Sequence, residues 1–398
     1  YGSNNYNKVN FGQQGFKYTP PSGFRSICSE FMEMPEATIL NPKKHFGDLY
    51  YSGNASTQSI TGLEFQPDFV WIKRRNDGHH HAVFDSVRGT QKSLSTSRID
   101  LGEYSESGSL NAFLPNGLGF NGSGYFYVNT NGDAYVAWCW KAGGSSNNFN
   151  IDDIGYSTAS DAGITNGTIN LTKLSVNTKG GFSVGLWTGS GSDGTVATGL
   201  TDTKIVILKN RTDANANWVV YHKVLDGTYD FLYFNSTNQN ASSAFHPFDL
   251  DTTFKVGSNT DTNASSKNYV FYAWKEIPGY SKIGTYKGFG NENGPCVYCG
   301  FRPKFVIVKG LDSSEHWNVP VDTYNYNGVD KTISPNLSNA ERDSSGSGLY
   351  GDAMDYLADG FKIKTIDANY NKSATTYLFM AFADTPNLPH FNQYPPAR

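Results

Sequence analysis

Phe69-Val70-Trp71-Ile72-Lys73, Ile205-Val206-Ile207-Leu208-Lys209 and Phe305-Val306-Ile307-Val308-Lys309 are one short apolar strand ending in lysine, written three times. The lysines lie 136 and 100 residues apart (209 − 73 and 309 − 209). Upstream of each strand a bulky residue precedes a glycine turn: Tyr51-Ser52-Gly53, Trp187-Thr188-Gly189 and Tyr286-Lys287-Gly288. Downstream each unit closes on an aromatic strand: Tyr135-Val136-Ala137-Trp138, Tyr269-Val270-Phe271-Tyr272-Ala273-Trp274 and Tyr377-Leu378-Phe379-Met380-Ala381-Phe382. Trp138, Trp274 and Phe382 align as the closing aromatics, spaced 136 and 108 (274 − 138 and 382 − 274). Self-similarity on this scale marks tandem copies of one domain, an arrangement suited to reach or avidity.

Composition points the same way. Of 398 residues, 15% are aromatic, only 17% are charged and 42 are glycine, a mixture that favours strands and turns over long helices. The expected fold is all-β, with tandem antiparallel β-sandwiches of jelly-roll or lectin-like type, because strands of five to seven residues recur between turn signals. In the closing strand, Tyr135, Ala137 and Cys139 alternate with Val136, Trp138 and Trp140, so both faces are apolar and the strand should be central in its sheet.

The expected boundaries are an N-terminal arm and linker over 1–45, repeat one over 46–148, a connecting hairpin with repeat two over 149–279, repeat three over 280–386 and a tail over 387–398. Gly143-Gly144-Ser145-Ser146-Asn147-Asn148 reads as a flexible junction, whereas Pro278-Gly279 is too short to let its neighbours move. The chain starts at Tyr1 without Met or a signal peptide, which reads as a fragment or a processed product.

The net charge is −4 and the basic residues do not cluster, against binding nucleic acid through phosphates. No apolar run reaches the ~18 residues of a membrane span. The four cysteines are too sparse for a disulfide scaffold, and Cys296-Val297-Tyr298-Cys299 lacks the second knuckle of a zinc site. It reads as structural, with a local disulfide or a metal as the lesser readings. His79-His80-His81 cannot converge on one metal from an extended chain, and Asp77-Gly78 ahead of it reads as a solvated loop or strand entry. Asp85-Ser86-Val87-Arg88-Gly89 reads as a turn shaped by an Asp–Arg pair. Asp249-Leu250-Asp251 lacks the spacing of a calcium loop. No hydrolase, P-loop or metalloprotease motif occurs, and no carboxylate keeps one place in all three repeats, so no catalytic, cofactor or metal residue is assigned and an enzyme is not expected. Asn-x-Ser/Thr triplets begin at Asn54, Asn121, Asn166, Asn170, Asn210, Asn235, Asn240, Asn263, Asn336 and Asn371, most of them a product of composition.

Ile60-Thr61-Gly62-Leu63-Glu64-Phe65-Gln66-Pro67-Asp68-Phe69-Val70-Trp71-Ile72-Lys73, with Phe84-Asp85-Ser86-Val87-Arg88-Gly89 and Tyr135-Val136-Ala137-Trp138-Cys139-Trp140-Lys141-Ala142-Gly143-Gly144, resembles a domain of unknown function common in tail-fibre-like and other structural proteins of marine and freshwater phages. Gly294-Pro295-Cys296 to Lys309, Asp359-Gly360-Phe361-Lys362-Ile363 and Tyr377 to Ala383 resemble its companion pattern. Asn10-Phe11-Gly12-Gln13 and Tyr18-Thr19-Pro20-Pro21-Ser22-Gly23-Phe24 resemble the end of a SPRY-like domain. Repeat two departs, with Thr201-Asp202-Thr203-Lys204 in place of the Phe-x-Pro entry. The resemblance implies a virion structural role in host attachment, as a homo-oligomer among other virion proteins and with host surface glycans as candidate partners. It supplies no site residues. The alternatives are a glycan-binding module and a secreted or cell-surface filament-forming matrix protein.

Overall fold

In the computed structural model each repeat builds one sheet with the same strand order. Residues 39–223, 230–238, 241–242, 250–321, 331–343 and 353–385 are described; the N-terminal arm with its SPRY-like resemblance, Cys28, Asn240, Asp249 and the C-terminal tail lie outside them. In repeat one the first strand, Phe46–Ser52, pairs with the closing strand Ala134–Trp140; this pairs with the lysine strand Phe69–Arg74, which pairs with a flanking strand, Ala82–Asp85. Repeat two places Phe182–Thr188, Asn268–Lys275, Thr203–Asn210 and Trp218–His222 in that order. Repeat three places Ser281–Lys287, Thr376–Phe382 and Phe305–Gly310 likewise, and a Val308–Asn318 bridge leads to its flanking strand Val319–Val321. The fold is all-β, and among the described residues the strand pairings are antiparallel apart from Phe149–Ile151 on Leu171–Asn177, the strands leading into repeat two, with one further parallel bridge, Ile169 to Val196.

The register fixes which residues are equivalent. Phe46 faces Trp140, Phe182 faces Trp274 and Ser281 faces Phe382 across the first pairing. Across the second, Phe69, Ile205 and Phe305 face the same three residues. The equivalent of Trp274 and Phe382 is therefore Trp140. Trp138 matches Tyr272 and Met380, two residues out of the alignment expected from the sequence. The segment from the lysine to the closing aromatic is two residues shorter in repeat two than in repeat one (274 − 209 = 65 against 140 − 73 = 67), so equal spacings at both ends misplace the aromatic.

A smaller second sheet packs on one face of each main sheet: Thr57–Thr61, Gly117–Asn121 and Leu110–Leu114 in repeat one, Gly194–Ala197 with Thr253–Val256 in repeat two, and Cys296–Tyr298, Gly360–Ile363 and Met354–Leu357 in repeat three. Tyr135, Ala137 and Cys139 enter this sandwich interior, as the alternation predicts, together with Val70 and Ile72. Leu208 and Val308 occupy the equivalent interiors of the other two repeats.

The opposite faces do not meet solvent. Phe46, Phe69, Trp71, Trp138 and Trp140 pack with Phe182, Ile205, Ile207, Tyr272 and Trp274, and with Phe305, Ile307, Met380 and Phe382, in one core common to all three repeats. Trp140 lies 6.1 Å from Trp274 and 5.4 Å from Phe382, ring centre to ring centre. From the sequence, Ile72, Leu208 and Val308 on the lysine strands are expected in the same cores as the closing aromatics; they lie in different ones.

Polar contacts close this arrangement into a ring. His81, Trp218 and Trp317 stand at the equivalent place, opposite the lysine of the neighbouring strand. Trp218 Nε1 donates to Ser95 O of repeat one (2.7 Å), Trp317 Nε1 to Tyr233 O of repeat two (2.9 Å), and His81 Nε2 meets Ser334 O of repeat three (3.1 Å). Each repeat reaches its neighbour in the same sense, so the sandwiches stand around a pseudo-threefold axis. The Gly/Ser/Asn junction is not a free hinge. Asp68 accepts from Ala142 N (2.8 Å) and Gly144 N (3.3 Å), and Ser175 Oγ donates to Gly144 O (2.6 Å).

Candidate functional site

Three features repeat in every unit, which marks them as requirements of the fold. First, Tyr51 stacks on Tyr135, Trp187 on Tyr269 and Tyr286 on Tyr377, with centroids 4.9, 5.0 and 5.0 Å apart. Second, each of Tyr135, Tyr269 and Tyr377 donates its hydroxyl into the preceding loop, to Tyr127 O, Thr260 O and Ala368 O (2.5, 2.9 and 2.5 Å). Third, a buried asparagine six residues earlier, Asn129, Asn263 or Asn371, accepts the backbone N–H that follows the glycine turn, from Asn54, Ser190 or Phe289 (3.0, 3.1 and 2.7 Å). Asn263 and Asn371 both begin glycosylation triplets, and both side chains are consumed inside the protein.

The lysines that define the repeat are buried. Lys73 Nζ donates to Arg74 O (2.6 Å), Lys209 Nζ to Ala216 O, and Lys309 Nζ to Gly310 O (2.8 Å) and Ser313 O (3.3 Å). Backbone carbonyls cannot offset the loss of hydration, so burial pulls their pKa values down to about 7, 8 and 8. All three are buried, and Lys309 also reaches repeat two by donating to Thr237 O (3.3 Å).

The histidine trio divides. His79 is partly exposed and packs on Tyr127 (4.8 Å), and His80 Nδ1 meets Ser97 Oγ (2.9 Å). His81 stands at the entry to the strand Ala82–Asp85, as one of the two readings has it, but it is fully buried rather than solvated. Its Nδ1 accepts from Trp71 Nε1 (2.9 Å), which leaves the proton on Nε2 to reach Ser334 O. Burial holds this imidazole neutral well below its usual pKa.

Asp85 and Arg88 pair as the sequence reading has it, Nε to Oδ2 at 2.5 Å, and Arg88 N donates to Asp85 Oδ1 (2.7 Å). The pair also anchors repeat two, since Tyr272 OH donates to Asp85 Oδ2 (2.7 Å). Burial opposes the Arg88 charge, yet Asp85, Tyr272 and Glu103 around it hold its pKa above the ordinary value. Cys296 is exposed and Cys299 is buried; both are free thiols. Among the described residues no three His, Cys, Asp or Glu side chains are grouped to hold a metal ion, and no helix is long and apolar enough to cross a membrane.

The internal spaces offer little chemistry. A cavity of about 30 Å³ lies in the common core, lined by apolar side chains of all three repeats including Trp140, Trp274 and Phe305. An open cleft of about 350 Å³ exposes the edge of Asp68, whose pKa burial raises to about 6, beside the Lys141–Asp153 pair (2.5 Å). The Asp68 oxygens already accept from Ser86 Oγ, Ala142 N and Gly144 N, so this carboxylate pins a turn.

What does not repeat stands out against this background. Gly122-Ser123-Gly124-Tyr125-Phe126-Tyr127 in repeat one carries two exposed tyrosines, 40% and 48% accessible, around the buried anchor Phe126. Tyr127 has φ of +54°, a left-handed conformation seldom adopted by a bulky residue. Val128 N donates to Ser123 O (2.8 Å), and Glu106 accepts from Tyr125 N. Tyr125 stacks on Tyr104 (4.3 Å) and receives a hydrogen bond from Arg98 Nη1 (3.0 Å). By the tyrosine hydroxyl bond that all three repeats share, the place of Tyr127 is held by Thr260 and Ala368. The residues two before the repeated asparagine, Asp261 and Asn369, turn inward, accepting from Asn217 N (2.6 Å) and His316 N (3.0 Å). Sequence reasoning did not single out this loop. Its signal is Gly-Ser-Gly ahead of Tyr-Phe-Tyr, visible only once the repeats are aligned on Asn129, Asn263 and Asn371.

No curated protein matches this chain. The family described as "Domain of unknown function (DUF7483)" matches residues 41–386, a span that takes in all three repeats and treats them as one unit. With the match covering most of its length, the chain belongs to the DUF7483 family.

Proposed function

We propose that this chain is a structural component of a phage virion, a tail-fibre or appendage protein that takes part in host attachment. The observation that carries the reading is the closed ring of three sandwiches. Its conserved internal pattern is spent on stacking, hydrogen-bonded loops and a common core, with the unshared features left on exposed loops. That is the design of a rigid display body rather than of a reaction chamber, and in this reading the chain is not an enzyme. The resemblance of repeats one and three to domains of phage structural proteins supports it. The chain then acts in the virion, as multiple copies among other virion proteins. Mass spectrometry and electron microscopy of purified particles test this. The expected result is a multi-copy component of the particle; its recovery only as a free soluble monomer overturns the reading.

A further inference from the structure

We propose that Tyr125 and Tyr127, with His79 beside them, form a binding platform for the apolar face of a neutral pyranose. The proposal deepens the host-attachment reading by naming a ligand class, and rests on it only for its biological meaning.

Three observations carry it. The platform is peculiar to repeat one: neither Thr260 and Ala368, which take the place of Tyr127 by the shared hydroxyl bond, nor the inward-turned Asp261 and Asn369 is aromatic. The fold therefore does not need aromatic rings there. The rings are held before any ligand arrives. Phe126 is buried, Tyr127 O accepts from the Tyr135 hydroxyl (2.5 Å), and Tyr125 is braced by Tyr104 and Arg98. Preorganised tyrosines offer a flat apolar face and a polar edge at small entropic cost. The Tyr127 conformation is a strained one, and such strain collects at binding sites.

The surroundings select the occupant. Arg98 is neutralised by Asp100 (2.6 and 2.5 Å) and Asp77 by Arg74 (2.9 Å), while burial holds the His79 imidazole below its usual pKa. With the charges cancelled in pairs, nothing favours a sulfated or phosphorylated ligand. Two rings also make a patch far smaller than the ~800 Å² per partner of a stable protein interface. A single sugar ring matches it, with the Tyr127 hydroxyl, which meets no other described residue, at its edge.

The test is saturation-transfer NMR on the full chain with methyl β-galactoside, methyl α-glucoside and methyl α-mannoside at millimolar concentration, and a sulfated disaccharide for comparison. Transfer to the axial C–H face of at least one neutral pyranoside is expected. Tyr127→Ala should weaken it about tenfold or more, while Tyr127→Phe keeps it, because stacking survives loss of the hydroxyl. Unchanged thermal melting of Tyr127→Ala would separate lost binding from lost folding. The proposal is overturned by no transfer from any neutral pyranoside, by undiminished transfer in the Tyr125→Ala/Tyr127→Ala double variant, by preference for the sulfated sugar, or by a dimer that dissociates on Tyr127→Ala. None of these outcomes decides whether the chain is found in particles, which is measured separately.

Discussion

Arg75 and Glu341 lie 266 positions apart and meet as a bidentate ion pair, Nε to Oε2 at 2.5 Å and Nη2 to Oε1 at 3.2 Å, joining repeat one to repeat three. Arg211 and Glu103 reproduce it between repeats two and one, at 2.8 and 2.9 Å. Even the backbone bonds match, Glu341 N to Arg75 O and Glu103 N to Arg211 O, both 2.7 Å. The same carboxylate clasps the same arginine at two of the three junctions; in repeat three Leu311 stands in the arginine's place. Glu341→Ala strands a guanidinium that is 19% exposed, and a loss of about 1–3 kcal/mol is expected, less than for a fully buried pair because of solvent screening. A double-mutant cycle with Arg75→Ala, read by denaturant melting, should give a coupling energy above about 0.5 kcal/mol.

The common core predicts a single cooperative transition. Repeat-by-repeat melting, with repeat one the most independent, is what the Gly/Ser/Asn junction leads one to expect from sequence. Trp140 instead contacts aromatic rings of both other repeats. Trp140→Ala should destabilise the whole three-repeat body by about 3–5 kcal/mol. Combined with Trp274→Ala it should be non-additive. Calorimetry resolving three separate transitions, or one that moves alone, would contradict this.

Trp140 Nε1 and Trp274 Nε1 have no hydrogen-bond partner among the described residues, and their equivalent in repeat three is Phe382. Trp140→Phe should therefore cost no more than about 1 kcal/mol, because lost area is offset by removing a buried unsatisfied donor. Trp71→Phe should cost about 2 kcal/mol or more, since it orphans Nδ1 of the buried His81. Equal costs for the two substitutions would refute the assignment.

Stability should rise with pH from the acid side to about pH 9. His45, held at about 4 chiefly by burial, and His81, held well below its usual value, take up protons on unfolding once the pH drops beneath 6.5, so stability present above that value is lost as pH falls. Lys73, Lys209 and Lys309 act in the same sense at higher pH. Between about 8 and 10.5 the unfolded chain binds protons that the folded chain has released, and stability grows as the pH climbs. Asp68, raised to about 6, opposes the trend only between its ordinary value of 3.8 and there. The thiols of Cys139 and Cys299, pushed up by burial from 9.0, and buried tyrosines such as Tyr51 turn the curve down at the alkaline end. Melting temperatures across this range test the prediction, and Lys73→Met should flatten the rise above neutrality.

Asn263, itself buried, accepts from Trp187 Nε1 (3.2 Å) and Ser190 N (3.1 Å) and donates to Ser192 O (2.7 Å). Asn263→Ala should cost about 2–3 kcal/mol because several partners lose their bond at once. In a glycosylating host, Asn263 and Asn371 should remain unmodified, which peptide mass spectrometry can read directly.

The strands, their alternation and the threefold repeat were legible in the sequence because they are local. Apolar residues on both faces of Tyr135-Val136-Ala137-Trp138-Cys139-Trp140 require burial on both sides, and the spacing of Lys73, Lys209 and Lys309 reports how often the unit recurs. Alternation does not say what covers each face. The tertiary structure decided that one face closes a private sandwich while the other joins a core shared by all three repeats, a choice that depends on contacts more than a hundred residues apart. It also set the closing aromatics two residues away from their apparent alignment, since loop length can change while pairing register cannot slip without turning every side chain to the wrong face. His81 shows the same limit. Three adjacent histidines read alike along the chain, and only the neighbouring repeat, by supplying Ser334 O, made one of them part of the interior.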